Sequence, residues 1–338
     1  MFSINHLNMT TPPIILLSRK QIHPQAWDDH ILHSRQRVIY ALSWYLDIVC
    51  ERWEALVWPS ADRFLIAMPL PVRSKLGRKI LYQPLFCQYL GIFSSSELGA
   101  AQCAAFLEAL AARFPYIPSY AFNPDNFDVI NGLLPKSFQW QVLQTHWLHL
   151  DKPYEGIRAG YRKDRRKNLR QGLNAAWDVI ESSDFEPLIR LFKENHAGGI
   201  GKVSAGAYQT LGRLGEHCIR SGAGRLLYAR RGGLVHAGML LVYWRGRAVY
   251  LFNSADRIGR KANARALMLD SYFRDHSKQA LVFDFESPQK KSIATYYTGF
   301  GARSTWFYSI RRNALPFPLR QIQHLRQWLL IRTRQCLF

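Results

Sequence analysis

The sequence predicts a protein of the α/β (α+β) class with two tandem domains, each a mixed, mostly antiparallel sheet with flanking helices. The main observation is that each half of the chain runs in the order strand, helices, three strands, helix and strand. A second is length, because 338 residues with 48% apolar side chains suit two cores of ordinary size. We therefore predict domains over residues 1–144 and 145–312, followed by a basic amphipathic helix over 313–338.

The elements of the first half follow from apolar spacing and from turn residues. IILLS predicts a strand and RVIYALSWYLDIVC a helix, and three strands follow in WEALVWP, RFLIAMPLPV and KILYQPLFCQYLGIF. SSSELGAAQCAAFLEALAARF predicts an Ala-rich helix capped by its serine cluster, because serine side chains accept from the first N–H groups of a helix. YIPSYAFN predicts the last strand of this half.

The second half repeats that order without any residue-level repeat. QVLQTHWLHLD predicts a strand, then a helix runs from Pro153 to about Leu173, and two more helices follow in DFEPLIRLFKENH and AYQTLGRLGEHCIRSG. RLLYARR, LVHAGMLLVYWRG and RAVYLFNSA predict antiparallel strands, since short glycine-bearing turns join them. The helix NARALMLDSYFRDHSK, the strand ALVFDFES, the short helix SIATYYTGFG and the strand TWFYSIRRN complete the domain.

Most of the net charge of +21 lies in the second half of the chain. Residues 1–150 carry 12 Lys and Arg against 10 Asp and Glu, whereas residues 151–338 carry 33 against 14. The resulting positive electrostatic field favours phosphate-bearing partners or an anionic membrane surface, and the charge alone does not distinguish between them. The five cysteines show no metal-ligand spacing, so no metal site is predicted. Without a signal-peptide pattern or a membrane-spanning run, we expect a cytoplasmic protein, with peripheral docking on the inner face of the membrane left open.

Three stretches in fixed order resemble a known family. They are YRKDRRKNLRQG at a helix opening the second domain, FDFES on the strand after the central helix, and IATYYTGFGA near the end. Their order and spacing resemble the GNAT acyltransferase superfamily, and the tandem arrangement resembles the Fem-type peptidyltransferases and related GNAT-like proteins. The resemblance implies a cleft where the central strands separate and an activated acyl donor within it. That donor would be acyl-coenzyme A, an acyl carrier protein or aminoacyl-tRNA, with no tightly bound cofactor.

The junction FNSADRIGRKANARALML corresponds to the place where GNAT enzymes hold the donor's pyrophosphate on the first N–H groups of a helix. The usual pattern is Arg or Gln, two residues, Gly, one residue, then Gly or Ala; here, counted from Arg257, Arg260 stands at the expected glycine. A solvated basic helix entry capped by Asn263 is the alternative interpretation. The resemblance implies donor or anion binding by Arg257, Arg260, Lys261, Asn263, Asn253 and Ser254.

The strand LVFDFES alternates, which predicts Phe283 and Phe285 on one face and Asp284 and Glu286 on the other. Two carboxylates on one face beside a polar cleft are suited to orient an amine or to act as a general base. Pairing with neighbouring arginines is the alternative. Ser287 ends the strand where the ligands of open sheets collect.

Tyr297 stands where Fem-type enzymes usually carry a lysine, in the sequence Tyr296 to Gly301. A tyrosine near the thioester acts as the general acid in GNAT enzymes, so the resemblance implies that role for Tyr297. Core packing of an amphipathic helix is the alternative for these aromatic residues. With Asp284 and Glu286, Tyr297 makes up the predicted catalytic set.

The stretch GYRKDRRKNLRQG concentrates six basic side chains and a single acid between positions 162 and 170. In one continuous helix, Arg162, Arg166 and Arg170 share a face with Arg165 nearby. We predict that they bind phosphates of an acceptor or a large donor, and a solvated basic face is the alternative.

These observations together predict a cytoplasmic N-acyltransferase. It would move an acyl or aminoacyl group from an activated carrier to an amine or sugar of a cell-envelope or polysaccharide precursor. The rival hypothesis is a non-catalytic GNAT-fold scaffold whose basic face binds membrane or nucleic acid. Sequence-specific DNA binding is not expected, because no DNA-reading motif is present.

Overall fold

The computed structural model describes residues 13–75, 77–195, 203–287 and 289–323. It has mixed sheets flanked by helices, which confirms the predicted fold class. The first sheet has the order β1-β2-β3-β4, with β5 paired to β3. Its strands are β1 (Ile15–Ser18), β2 (Arg52–Pro59), β3 (Phe64–Lys75), β4 (Arg78–Leu81) and β5 (Phe93–Ser94).

The second sheet has eight strands in the order β6-β13-β7-β12-β11-β10-β9-β8. Adjacent strands are antiparallel except for β11 and β12, which are parallel. The strands are β6 (Tyr116–Ala121), β7 (Gln139–His149), β8 (Asp178–Ser182), β9 (Gly224–Arg231), β10 (Leu234–Trp244), β11 (Arg247–Ala255), β12 (Val282–Asp284) and β13 (Arg303–Asn313).

Helices cover the faces of both sheets, and apolar residues fill the space between. One apolar core packs the first sheet and its helices and continues onto α7 and α8; another lies beneath α10 and α11 on the opposite face of the second sheet. The described α-helices are α1 (Pro24–His33), α2 (Ser43–Val49), α3 (Ala100–Arg113), α4 (Phe127–Ile130), α5 (Tyr154–Ala159), α6 (Lys163–Asn174), α7 (Glu186–Asn195), α8 (Ala205–Arg220), α9 (Arg257–Lys261), α10 (Ala264–Asp275) and α11 (Lys291–Thr298).

Two long strands, β7 and β13, join the halves of the molecule. They pair over nine residues, from Arg303 opposite Trp147 to Arg311 opposite Gln139. On its other edge β7 pairs with β12 of the second half, and β13 pairs with β6 of the first half. The predicted boundary between residues 144 and 145 falls inside β7, and the division into two domains stays a prediction.

The parallel strands β11 and β12 separate soon after they meet. They pair from Arg247 opposite Val282 to Val249 opposite Asp284, and β11 then continues to Ala255 paired with β10 but not with β12. The chain after β12 turns away at Glu286, whose φ of 48° is left-handed. This separation opens a cavity between the two strands.

Several predicted elements differ from the structure. Only the ends of KILYQPLFCQYLGIF form strands, namely β4 and β5. RVIYALSWYLDIVC holds a 3₁₀ turn (Ile39–Ala41) before the short α2, and α1 was not predicted. The helix α3 is capped by Gly99, whose N–H donates to the Gln102 side chain, and not by the serine cluster.

The predicted helix from Pro153 to Leu173 is two helices, because the Arg162 N–H donates to the Gly299 carbonyl at the break. Residues 324–338, which make up most of the predicted C-terminal helix, lie outside the described residues. Before them, Leu315 and Leu319 pack against Ile80 and Tyr116 of the first half.

Candidate functional site

A cavity of about 420 Å³ lies where β11 and β12 separate. The end of β12 forms one wall and α11 another, while α7 and α10 each contribute a side chain. Aromatic residues make up much of its surface. The lining residues are Phe192, Tyr250, Leu251, Phe252, Asn253, Arg265, Phe285, Glu286, Ser292, Ile293, Tyr296 and Tyr297.

Glu286 places a carboxyl group on this cavity in a fixed orientation. Its left-handed backbone is unusual for a residue with a side chain and costs about 1 kcal/mol or more. Its N–H donates to Asp284 Oδ1 at 2.9 Å, which closes a local turn and holds that conformation. Tyr40, from the first half of the chain, donates to Glu286 Oε1 at 3.1 Å.

Asp284 lies beneath the cavity and does not line it. Its buried carboxylate accepts from the Tyr89 hydroxyl at 2.5 Å and from Thr145 Oγ1 at 2.6 Å, in addition to the Glu286 N–H. The prediction that Asp284 faces the cleft beside Glu286 is therefore corrected, because hydrogen bonds occupy both of its oxygens. The geometry assigns it to positioning Glu286.

Burial raises the pKa of Glu286 well above its ordinary value, and the negative charge of Asp284 raises it further. The hydrogen bond from Tyr40 opposes this shift by stabilising the carboxylate. A carboxyl group with a raised pKa beside a cavity is a stronger base than an exposed one and is suited to accept a proton.

Tyr297 also lines the cavity, in agreement with its predicted place. Its ring stacks on Phe285 with centroids 4.5 Å apart, and burial raises the pKa of its phenol. Asn253 lies close enough to lower that pKa in part. A phenol that keeps its proton at neutral pH can donate it to a leaving group.

The residues predicted for donor binding are not brought together. Asn253 lines the cavity, whereas Ser254 is buried on the other face of β11. Arg257, Arg260 and Lys261 are exposed on α9. At the start of this helix the Asp256 carboxylate accepts from the Gly259 N–H at 2.7 Å, so the protein supplies its own anion there.

Asn263 has a left-handed backbone before α10 and makes no side-chain cap; its amide donates to Gln171 at 2.9 Å. Asn263 thus occupies the N-cap position, but the side-chain cap of the alternative interpretation is absent. Helix α6 packs directly on this turn, because a Cβ on Gly172 would lie 3.1 Å from the Asn263 carbonyl oxygen.

The basic residues predicted on a single helix face separate into exposed and buried groups. Arg162 precedes α6 and donates to the Thr295 carbonyl oxygen, while Arg166 and Arg170 are exposed on α6. Arg165 is only 7% exposed, and its guanidinium lies 4.2 Å from the Tyr296 ring centroid. The predicted stripe is thus interrupted, and Arg165 belongs to the wall behind the cavity.

Ser287 is buried, and its hydroxyl lies 2.7 Å from His146 Nδ1. Its carbonyl oxygen accepts from the Gln88 amide at 3.0 Å. These contacts tie the strand end to β7 and to the first half of the chain. Ser287 therefore supports Glu286 and does not present its hydroxyl to the cavity.

Sequence reasoning missed two residues of the site, Arg265 and Tyr40. Arg265 occupies the second position of α10 and donates from Nη1 to Asn253 Oδ1 at 2.6 Å. Tyr40 approaches Glu286 from 246 positions earlier in the sequence. No local pattern marks a contact over that separation.

Within the described parts of the chain, no group of three or more His, Cys, Asp and Glu is placed to hold a metal ion. None of the described helices combines the length and hydrophobicity needed to span a membrane.

Comparison with known proteins places this geometry in context. Residues 156–286 match the family model described as "Acetyltransferase (GNAT) domain". The structure described as FemX is similar over 89% of this chain and 98% of its own, with 12% identity and a TM-score of 0.63. A conserved protein of unknown function from Bacteroides thetaiotaomicron VPI-5482 is similar over 89% and 99%, with 10% identity and a TM-score of 0.56. No curated protein matches the chain in sequence.

Proposed function

Because residues 156–286 match the GNAT acetyltransferase family model, we propose that this protein transfers an acyl or aminoacyl group to an amine bound in the cavity at Glu286. The observation that carries the proposal is the Glu286 carboxyl group, held in a left-handed turn on the cavity with a raised pKa. The enzyme class follows from the family match; the substrates and residue roles are the proposal.

The reaction needs a base for the amine and an acid for the leaving group. The amine nitrogen attacks the acyl carbonyl carbon and forms the new C–N bond, while Glu286 accepts the proton that the amine loses. The bond from the carbonyl carbon to the carrier's sulfur or oxygen then breaks, and Tyr297 protonates the leaving group. Glu286 and Tyr297 return to their starting states by exchange with water.

The start of α9, where the donor's pyrophosphate was expected, differs from the usual GNAT pattern in its charge and hydrogen bonding. The Asp256 carboxylate already accepts from the Gly259 N–H, and Arg260 donates to the Ala255 carbonyl oxygen at 2.6 Å. A pyrophosphate at α9 would meet a like charge there. We therefore keep three donors in the proposal: acyl-coenzyme A, an acyl carrier protein and aminoacyl-tRNA.

The acceptor class follows from the Fem-type resemblance and the basic second half. The proposal names an amine or amino sugar of a cell-envelope or polysaccharide precursor, modified at the cytoplasmic face of the membrane. Exposed cations such as Arg166 and Arg170 support recognition of its phosphates or of anionic lipid.

The test is acyl transfer from each of the three donors to a panel of amine acceptors, with products detected by mass spectrometry. We expect one donor class to give product, and Glu286→Gln to reduce turnover about 10²–10⁴-fold. Glu216→Gln, an exposed change on α8, controls for the loss of a carboxylate charge. Product formation that is equal in wild type and Glu286→Gln would exclude Glu286 as the base.

A further inference from the structure

Arg265 is a partly buried cation of the cavity wall without an acidic partner among the described residues. Its neighbours are neutral: it donates to the Asn253 amide oxygen, and the phenols of Tyr250 and Tyr296 lie close by. The other guanidinium groups of this region differ. Arg247 pairs with Asp125 at 3.2 Å and Arg165 with Asp164 at 3.4 Å.

A cation withdrawn from water without an anion is costly, and proteins keep such groups where a ligand supplies the missing charge. Glu286 lies on the same cavity, but its carboxyl group forms no ion pair with Arg265 and accepts a hydrogen bond from Tyr40 instead. The lining residues therefore leave one positive charge uncompensated. A single negative charge on the ligand balances it.

The surroundings of Arg265 fix where that charge is bound. Asn253 accepts a hydrogen bond from one edge of the Arg265 guanidinium. The Tyr296 ring next to it lies against Arg165, so both cations contribute positive potential at this wall of the cavity. A guanidinium binds the oxygens of a carboxylate or phosphate in a planar fork. The cavity of about 420 Å³ has room for such a group beside an amine.

We propose that the substrate of this cavity is an amine that also carries a monoanionic oxyanion, a carboxylate or a phosphodiester, which Arg265 binds. The amine part rests on the proposed function, whereas the binding of the anion does not. Arg265 is thus a specificity-determining residue, and an amine without the negative charge is a poor acceptor.

The test measures anion binding without turnover. Sodium acetate and sodium dimethyl phosphate are titrated into the purified protein at constant ionic strength set with sodium chloride, and the unfolding temperature is recorded. A ligand of the native state raises that temperature in a saturable way. We expect the rise in wild type and in Arg257→Gln, an exposed change of equal charge, and its loss in Arg265→Gln.

A second variant keeps the test decisive if Arg265→Gln does not fold. Asn253→Asp places a carboxylate on the atom position that already contacts Arg265, so it supplies the anion from within. We expect a higher unfolding temperature than in wild type and no response to either probe. An unchanged response in Arg265→Gln or in Asn253→Asp, or no response above chloride in wild type, overturns the proposal.

The two probes separate the sources of the charge. A response to acetate assigns a carboxylate, and a response to dimethyl phosphate assigns a phosphodiester. Glu286→Gln distinguishes this inference from the proposed function, because it removes turnover and leaves the probe response intact. If acyl transfer is never found, the response that depends on Arg265 still stands.

Discussion

Replacing Asp284 with Asn removes a negative charge under Glu286 while preserving the shape of the site. Asp284 Oδ1 accepts from Thr145 and from the Glu286 N–H, and an Asn oxygen in that place keeps both bonds. The new amide group then faces the Tyr89 hydroxyl, which already accepts from Arg247 Nη1 at 3.2 Å. The phenol proton of Tyr89 loses its acceptor.

The size of the effect follows from these contacts. A hydrogen bond to a charged group contributes roughly 1.5–3 kcal/mol, and a buried donor left without a partner costs about 1–3 kcal/mol. Because the two figures describe the same lost contact from its two sides, they are not added, and we expect the free energy of unfolding to fall by about 1.5–3 kcal/mol.

The catalytic consequence is a shift of the pH profile. Glu286 acts as a base only when it is deprotonated, so kcat/KM rises as pH passes its pKa. Asp284 raises that pKa by charge repulsion, and Asp284→Asn therefore moves the rising limb to lower pH. The assay is kcat/KM against pH, with thermal unfolding followed by circular dichroism on the same samples.

Asp270→Asn is the matched control. Asp270 is also buried and accepts from two tyrosines, Tyr154 and Tyr161, but it lies outside the cavity. An Asn oxygen at Asp270 Oδ1 keeps both tyrosine hydrogen bonds, and the change should leave the rising limb in place. If Asp284→Asn leaves the limb unchanged, or if Asp270→Asn shifts it equally, Asp284 does not set the pKa of Glu286.

Four further results are expected. Tyr40→Phe removes a donor that stabilises the Glu286 carboxylate, so the rising limb should move to higher pH, opposite to Asp284→Asn; movement to lower pH contradicts the assignment. Tyr297→Phe should reduce turnover most for donors with poor leaving groups, measured as kcat across carriers of different leaving-group pKa, and a uniform reduction would indicate a packing role. Because the pKa of Glu286 is raised in the folded state, its contribution to stability is fully present below the unfolded-state pKa near 4.5 and is lost as pH rises through the folded-state pKa. Over that pH range the unfolding temperature of Glu286→Gln should rise relative to that of wild type. Unfolding temperatures that stay parallel in the two proteins would reject this prediction. A chain ending at Gln323 keeps the contacts of Leu315 and Leu319. If this shortened chain co-sediments with anionic vesicles more weakly than the full chain does, residues 324–338 bind the membrane, whereas equal binding by both chains would exclude them.

Order and periodicity predicted the parts of the site that lie on regular elements. Phe285 and Glu286 directly follow β12, and Tyr297 lies on the next helix, α11, so chain order alone places them near one another. The role of Asp284 was not predictable, because it depends on Tyr89 and Thr145, both more than a hundred positions away. Strand periodicity gives a direction for a side chain but not its partners.

Arg265 and the basic stripe show a second limit. Arg265 is one of many arginines in a basic half, and only the tertiary structure shows that it lines a cavity and has no acidic partner among the residues described. Arg162, Arg166 and Arg170 have the spacing of one helix face with Arg165 nearby, yet a contact with Gly299 interrupts the helix before α6, and Arg165 is buried against the Tyr296 ring. Tertiary contacts override local spacing at both places.

The pairing of β13 with β6 has a consequence for synthesis of the chain. Ser309 lies opposite Ala121, a separation of about 190 residues. At the usual rate of about 5–20 residues per second, the edge of β6 waits roughly 10–40 s on the ribosome for the strand that covers it. An uncovered strand edge invites pairing with other chains. The first half is thus synthesised early, but the edge of its strand β6 is covered last. During that interval nascent chains depend on chaperones or on slow association to avoid pairing with one another.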